Sequence, residues 1–367
     1  RLTRPVAVRP VPSSSMDANP RSNHDSTTVP ASALSRELQP HRWRWRRRWA
    51  RLGWGLVPGL LFGSLVGQIL FFLNPHLPFD GASVARSALV YGTTGALASA
   101  LVCLLVRPRR PFAFALWGAS LALLAAATFG WVFPSRYAFY LPPGINERLI
   151  KAAAGLTALA LVAFYTALGH SFFRRRYGWG SVLILAALGL AAGGLLIERR
   201  HAFPERSPPL ANGVLREESL PVRLLVVGVD TATLDVLLPL TEQGGLPFFA
   251  RLLEGSAYGH LRSLSPNRYS ALWNTVATGR SPYRHGIVGA SGFPAPWLGP
   301  DDELRLLPSP TPLARWLRMG VSGRPLDARD REALTLWEIL AELGIPSAAV
   351  GWPMSAPYPE HLALGAD

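Results

Sequence analysis

A carboxylate that closes an apolar run is the first residue able to do chemistry. Residues 222–230 read VRLLVVGVD and end at Asp230. Such an aspartate is either the cap of a following helix or a metal ligand, and nothing in its immediate neighbours separates the two. Downstream lies the block SPNRYSALWNTVATGRSPYRHGI, from Ser265 to Ile287, which carries adjacent hydroxyls at Tyr269 and Ser270 and a histidine at His285. His260 and His361 are the other nearby imidazoles, and both read as ordinary packing or surface residues. The single cysteine, Cys103, sits inside an apolar run, so neither a disulfide nor a cysteine-based zinc site can form within the chain.

The elements that must position these groups follow from pattern. Residues 222–230 and 257–264 read as buried strands, 231–240 and 246–255 as helices, 270–277 as a helix start, 332–343 as an amphipathic helix stopped by Gly344, and 347–352 as a third strand. Strand–helix alternation predicts an α/β layer with a mainly parallel sheet, whose chemistry collects at strand carboxyl ends, where Asp230 falls. Residues 291–330, with Trp297, Trp316 and several arginines, read as an inserted loop that either meets a phosphorylated ligand or packs onto its own domain.

The rest of the chain is of another kind. Of its 367 residues 49% are hydrophobic and 16% charged, below the roughly 25% charged residues of soluble domains. The net charge of +14 is unevenly placed: residues 1–200 hold 23 Lys and Arg against 6 Asp and Glu, and residues 201–367 hold 14 against 17. Because the basic excess lies in and around apolar segments, it argues against a nucleic-acid partner. Residues 1–40 read as a disordered tail and 41–53 as a basic, tryptophan-bearing juxtamembrane segment. Residues 54–197 contain five stretches, near 54–73, 87–106, 112–133, 152–173 and 178–197, each long enough to cross about 30 Å of hydrocarbon. On the first, Gly59, Gly63 and Gly67 recur at a spacing that permits close helix contact. Residues 198–221 read as a linker, and residues 222–367 as the second domain.

Orientation follows from the loops. His41–Arg51 carries six arginines, the second basic loop Arg107, Arg109 and Arg110, and the third Arg174, Arg175 and Arg176, so a cytoplasmic amino terminus and an extracytoplasmic domain after the fifth crossing are expected, in the cytoplasmic (inner) membrane. Arg199 and Arg200 fall on the wrong side for that rule. The spans carry no internal charge, which disfavours an ion carrier and fits an anchor. The near absence of lysine, Lys151 being the only one, fits a GC-rich bacterial coding sequence.

Four features in residues 220–367 resemble the alkaline phosphatase superfamily, closest to its type I phosphodiesterase/nucleotide pyrophosphatase branch. They are the strand ending at Asp230; Gly244-Gly245-Leu246-Pro247 with its helix; Trp273 followed by Thr278-Gly279 and Pro282–Ile287; and the helix around Trp337 leading to AAVGWPMSAPYPEH and Asp367. The resemblance implies two divalent metal ions, zinc by type, with Asp230 and a hydroxyl as ligands, that hydroxyl attacking phosphorus. Relatives carry it nine residues before Thr278, which here is Tyr269; the reading favours Ser270 as nucleophile and metal ligand, with Tyr269 as the alternative and a cap as the plain role of Ser270. Thr278, Gly279, His285 and Gly286 belong to the motif and read as structural. The asparagine that relatives place after His-Gly-Ile is absent, Val288, Gly289 and Ala290 standing there.

The remaining ligands of the family are expected beyond Asp367, so the domain is expected to be incomplete and inactive by itself. The resemblance thus implies a membrane-anchored, metal-dependent phosphoesterase or phosphodiesterase. Its partners would be a phosphate-ester or phosphodiester substrate, free or lipid-linked, and membrane lipid. A transferase of a lipid-linked headgroup and a non-catalytic binding protein are the alternatives.

Overall fold

The computed structural model describes residues 31–173, 177–203, 223–308, 311–357 and 364–366, over 31–46, at 311 and over 364–366 as backbone only. The chain divides into Arg1–Arg48 and Trp49–Asp367. Within the first unit the described part is helical backbone from Ala31, so residues 31–40 are helix where a tail is expected. The opening stretch 1–30 and most of the expected linker, 204–222, lie outside the described residues.

Among the described residues five helices are long and apolar enough to cross a membrane. They are α1 (Ala31–Leu73, its span Arg47–Leu73), α2 (Gly81–Val106), α3 (Pro111–Arg136), α4 (Pro143–Phe172) and α5 (Trp179–His201). Small residues let them approach. A Cβ on Gly59 would lie 1.9 Å from the Gly95 carbonyl oxygen, and one on Gly63 would lie 2.0 Å from that of Tyr91, so the glycine row of α1 is the seam against α2. A Cβ on Gly130 of α3 would lie 2.7 Å from that of Ala153 on α4, in a seam rich in buried alanines such as Ala119, Ala126, Ala152 and Ala160. Large apolar side chains such as Leu97, Leu105 and Leu190 point outward, as lipid contact requires.

Arg200, which breaks the loop-charge pattern, has a different job. It is buried at the end of α5 and donates from Nε to the Phe71 carbonyl at 3.0 Å and from a terminal nitrogen to that of Pro75 at 3.0 Å, with its guanidinium over the Phe79 ring. It satisfies carbonyls left open at the carboxyl end of α1.

After the spans come α6 (Leu234–Glu242), α7 (Pro247–Gly255), α8 (Tyr269–Thr278) and the single turn α9 (Pro282–His285). The mainly parallel sheet does not appear among the described residues. Residues 223–229 and 257–264 have no regular secondary structure and no ladder partner, and Asp230 stands in a turn, with Leu224, Leu225, Val227 and Leu261 exposed. A strand exists only by pairing, and no described segment donates or accepts along these two. Among the described residues parallel pairing is confined to Ala348–Val350 with Leu364–Ala366.

The presumed loop 291–330 is instead a small folded unit. Strand β1 (Ser291–Pro294) pairs antiparallel with β2 (Glu303–Leu304) and, on its other edge, with β3 (Arg324–Pro325), while α10 (Thr311–Leu317) lies between the last two in sequence. Arg324 ties the sheet together by ion pairs to Glu303 at 2.8 Å and Asp330 at 2.6 Å. Then follow a 3-10 turn (Ala328–Asp330), α11 (Leu336–Glu342), β4 (Ala348–Val350) and β5 (Leu364–Ala366), the last two parallel with Ala349 opposite Gly365. Helix α11 starts later than its periodicity predicts because Thr335 and Glu338 form a reciprocal capping box there.

The inserted unit packs on the membrane helices. Leu298, Leu304 and Leu317 share one buried cluster with Val66, Leu70 and Phe71 of α1 and Tyr91 of α2. The Tyr91 hydroxyl donates to the Leu317 carbonyl at 2.6 Å and accepts from the Trp297 indole at 3.1 Å. Trp316 stacks parallel to Phe62, centroids 6.2 Å apart, and donates to Thr94 Oγ1 at 3.2 Å. Asn74, fully buried just past α1, accepts through Oδ1 from the backbone N–H of Arg305 and of Leu306, both at 2.8 Å, and donates to the Leu306 carbonyl at 2.9 Å. Its amide serves as a one-residue strand partner.

Candidate active site

The site is built around the start of α8. Its N-cap is Arg268, with no side-chain cap bond, so neither hydroxyl residue caps the helix; Tyr269 and Ser270 are its first two residues. They differ in access. Tyr269 is 53% exposed, while Ser270 is 7% exposed and faces inward. The free N–H groups of this first turn are a natural seat for phosphate oxygens.

The loop that delivers α8 is held from the membrane side. Tyr140, in the turn between α3 and α4, donates its hydroxyl to the Pro266 carbonyl at 2.5 Å. Arg268 donates to the Val288 carbonyl at 3.0 Å, and its guanidinium lies over the rings of Tyr137 and Tyr140, 5.4 and 5.8 Å from their centroids. Burial pushes the Tyr140 phenol up from its ordinary value, which keeps it a neutral donor. These residues carry no sequence signal: they sit more than a hundred positions from the loop they hold.

Asp230 stands in the turn that follows residues 223–229 and is exposed; its Oδ1 accepts from the N–H of the next residue, Thr231, at 3.1 Å. It does not cap α6, whose N-cap is Thr233. Of the two local readings the cap is therefore removed. Gly228, two residues earlier, lies against the second turn of α8, where a Cβ would come within 2.6 Å of the Trp273 ring. Behind it Trp273, Trp352 and Trp337 form a chain of edge-to-face contacts at 5.3 and 5.5 Å.

The motif residues after α8 serve local geometry. Gly279 ends α8 and Gly286 ends α9, both in the left-handed region at φ +63° and +79°, where a Cβ is strained. Thr278 Oγ1 donates to the Asn274 carbonyl at 2.7 Å and accepts from the Arg280 N–H at 3.2 Å. His285 is fully buried. Its Nδ1 accepts from the Ile287 N–H at 3.1 Å, so Nε2 carries the proton and faces Thr275 Oγ1 at 3.1 Å. Burial lowers its pKa to about 4, so the ring is neutral at pH 7.

Among the described residues no three His, Cys, Asp or Glu side chains come together as a metal site. Asp230 and one hydroxyl give two donors, where a zinc site takes three or four from protein. The described residues thus do not by themselves hold the two-ion centre that the resemblance implies. His361 lies outside the described residues and His260 is exposed.

Comparison with known proteins gives one finding. Residues 224–362 match the sequence model of the family described as type I phosphodiesterase / nucleotide pyrophosphatase. No curated protein and no solved structure matches the chain. The matched stretch takes in the segment of Asp230, the hydroxyls of α8, the Thr-Gly and His-Gly caps and the inserted unit. Five helices fit to cross a membrane among the described residues are thus followed, over residues 224–362, by a stretch similar to the type I phosphodiesterase / nucleotide pyrophosphatase family.

Proposed function

We propose that this chain is a membrane-anchored phosphoesterase of the phosphodiesterase type, working at the extracytoplasmic face by attack of an α8 hydroxyl on phosphorus. The observation that carries the reading is the pair of hydroxyls opening α8 on a loop fastened to the α3–α4 turn, within the stretch that matches the family. The orientation rests on the basic segments at 41–51, 107–110 and 174–176, which alternate along the sequence with loops poorer in arginine.

Exposure favours Tyr269 as the attacking residue, because Ser270 is turned inward. The Tyr269 oxygen bonds to phosphorus as the ester P–O bond breaks, and its proton leaves with the departing alcohol. Water then cleaves the phosphoryl–tyrosine ester, restoring the hydroxyl and releasing the phosphate product. The α8 N–H groups hold the phosphoryl oxygens throughout. Ser270, which the sequence reading favours for its short hydroxyl although the family spacing falls on Tyr269, is the second candidate.

The test is turnover of an aryl phosphodiester by the membrane-embedded protein, with zinc supplied. Tyr269→Phe is expected to abolish it and Ser270→Ala to leave most of it. The reverse result assigns Ser270, and activity unaffected by either change overturns the reading. Protease cleavage of residues 223–357 in intact cells checks the orientation.

A further inference from the structure

A cleft of about 1050 Å³ opens between the outer ends of the membrane helices and the phosphodiesterase-type region. Its lower wall is the end of α1 at Leu73, the first two turns of α4 with Arg148, and Phe203 just past α5; its upper wall carries Arg280, Arg284 and Arg305. Asp230, Tyr269 and Ser270 do not line it, although Thr278 at the other end of α8 does.

Two properties define its occupant. The first is charge. Four arginines face the cleft against two glutamates, and both glutamates are engaged, Glu147 by Lys151 and Glu332 by Arg305 at 2.8 Å. Arg148, Arg280 and Arg284 make no ion pair with a carboxylate among the described residues, so three guanidiniums from two walls are left to meet an anion. Guanidinium forks match phosphate oxygens in geometry as well as charge. The second is level. About 20 helical residues fill the hydrocarbon layer, and α4 has 30, so its first turns, with Arg148, stand where lipid phosphates lie. Leu73 and Phe203 give the lower wall an apolar edge beside those charges.

We propose that this cleft binds the phosphate of an anionic phospholipid headgroup, or free phosphate of the same chemistry, at a site separate from Tyr269 and Ser270. The bound group joins the helix ends to the phosphodiesterase-type region through arginines of both.

Native mass spectrometry of the full chain in detergent tests this, with phosphatidylglycerol, phosphatidylcholine and inorganic phosphate added separately. Phosphatidylglycerol is expected to stay bound at least tenfold more than phosphatidylcholine. The combined variant R148A/R280A/R284A should lose that preference, and the matching lysine variant should regain part of it. Retention of inorganic phosphate with no preference between the lipids, lost in the alanine variant, assigns free phosphate and supports the site. Equal lipid retention without phosphate binding, or an unchanged preference in a folded alanine variant, overturns the proposal. Folding of each variant is read from its gel-filtration profile. The outcome does not depend on turnover, so it stands or falls apart from the nucleophile assignment.

Discussion

Residues 265–357 and residues 223–264 belong to one family segment but are held by different means. The former are anchored: the inserted unit shares a buried cluster with α1 and α2, Asn74 completes the backbone bonds of Arg305 and Leu306, and Tyr140 holds Pro266. The latter carry no buried residue on α6 or α7 and an apolar run left open. Local sequence signals are strong in both, with helices close to where periodicity predicts them. What differs is the supply of partners, and burial follows partners rather than propensity.

The contrast can be broken most directly at Asn74. Asn74→Ala leaves two N–H groups and a carbonyl buried without a partner, and should cost about 4 kcal/mol of stability, seen as a lower unfolding temperature and early proteolysis of the inserted unit. Acid acts next. His285 has its pKa lowered to about 4, below the unfolded value near 6.5, so the unfolded chain binds more protons between these values. Stability is therefore complete above about pH 6.5 and falls by about 3 kcal/mol as the pH drops to 4. His285→Gln should flatten that slope in thermal melts taken across the range.

Leu304→Ala, within the cluster shared with α1, should cost about 3 kcal/mol by cavity formation. Leu225→Ser, in the open apolar run, should change stability by less than about 0.5 kcal/mol. Equal losses for these two leucines in matched denaturation would show that the two stretches are held alike, and the distinction drawn here would fail.

Much of the membrane part was legible because its signals are local. Length and apolarity mark the five spans, and the spacing of Gly59, Gly63 and Gly67 marks a seam that α2 fills. In the second region the hydroxyls at the start of α8 and the caps at Gly279 and Gly286 are equally local. What stayed hidden depends on distance along the chain. Arg200 looks like a misplaced topology charge until its bonds to Phe71 and Pro75 are seen, and Trp297 and Trp316 do not reveal that their partners are Tyr91 and Thr94. The apolar run expected as a strand at 222–230 differs for the opposite reason: its composition suits a strand, but composition supplies no neighbour, and none pairs with it among the described residues.

The bond from Tyr140 to Pro266, with Arg268 clasped over two tyrosine rings, fixes an altitude. The opening of α8 is not carried on a free stalk; it stands at one elevation, set by a turn between two spans. Molecules travelling in the lipid sheet arrive at that elevation by two-dimensional diffusion, whereas those in bulk solution must first descend to it.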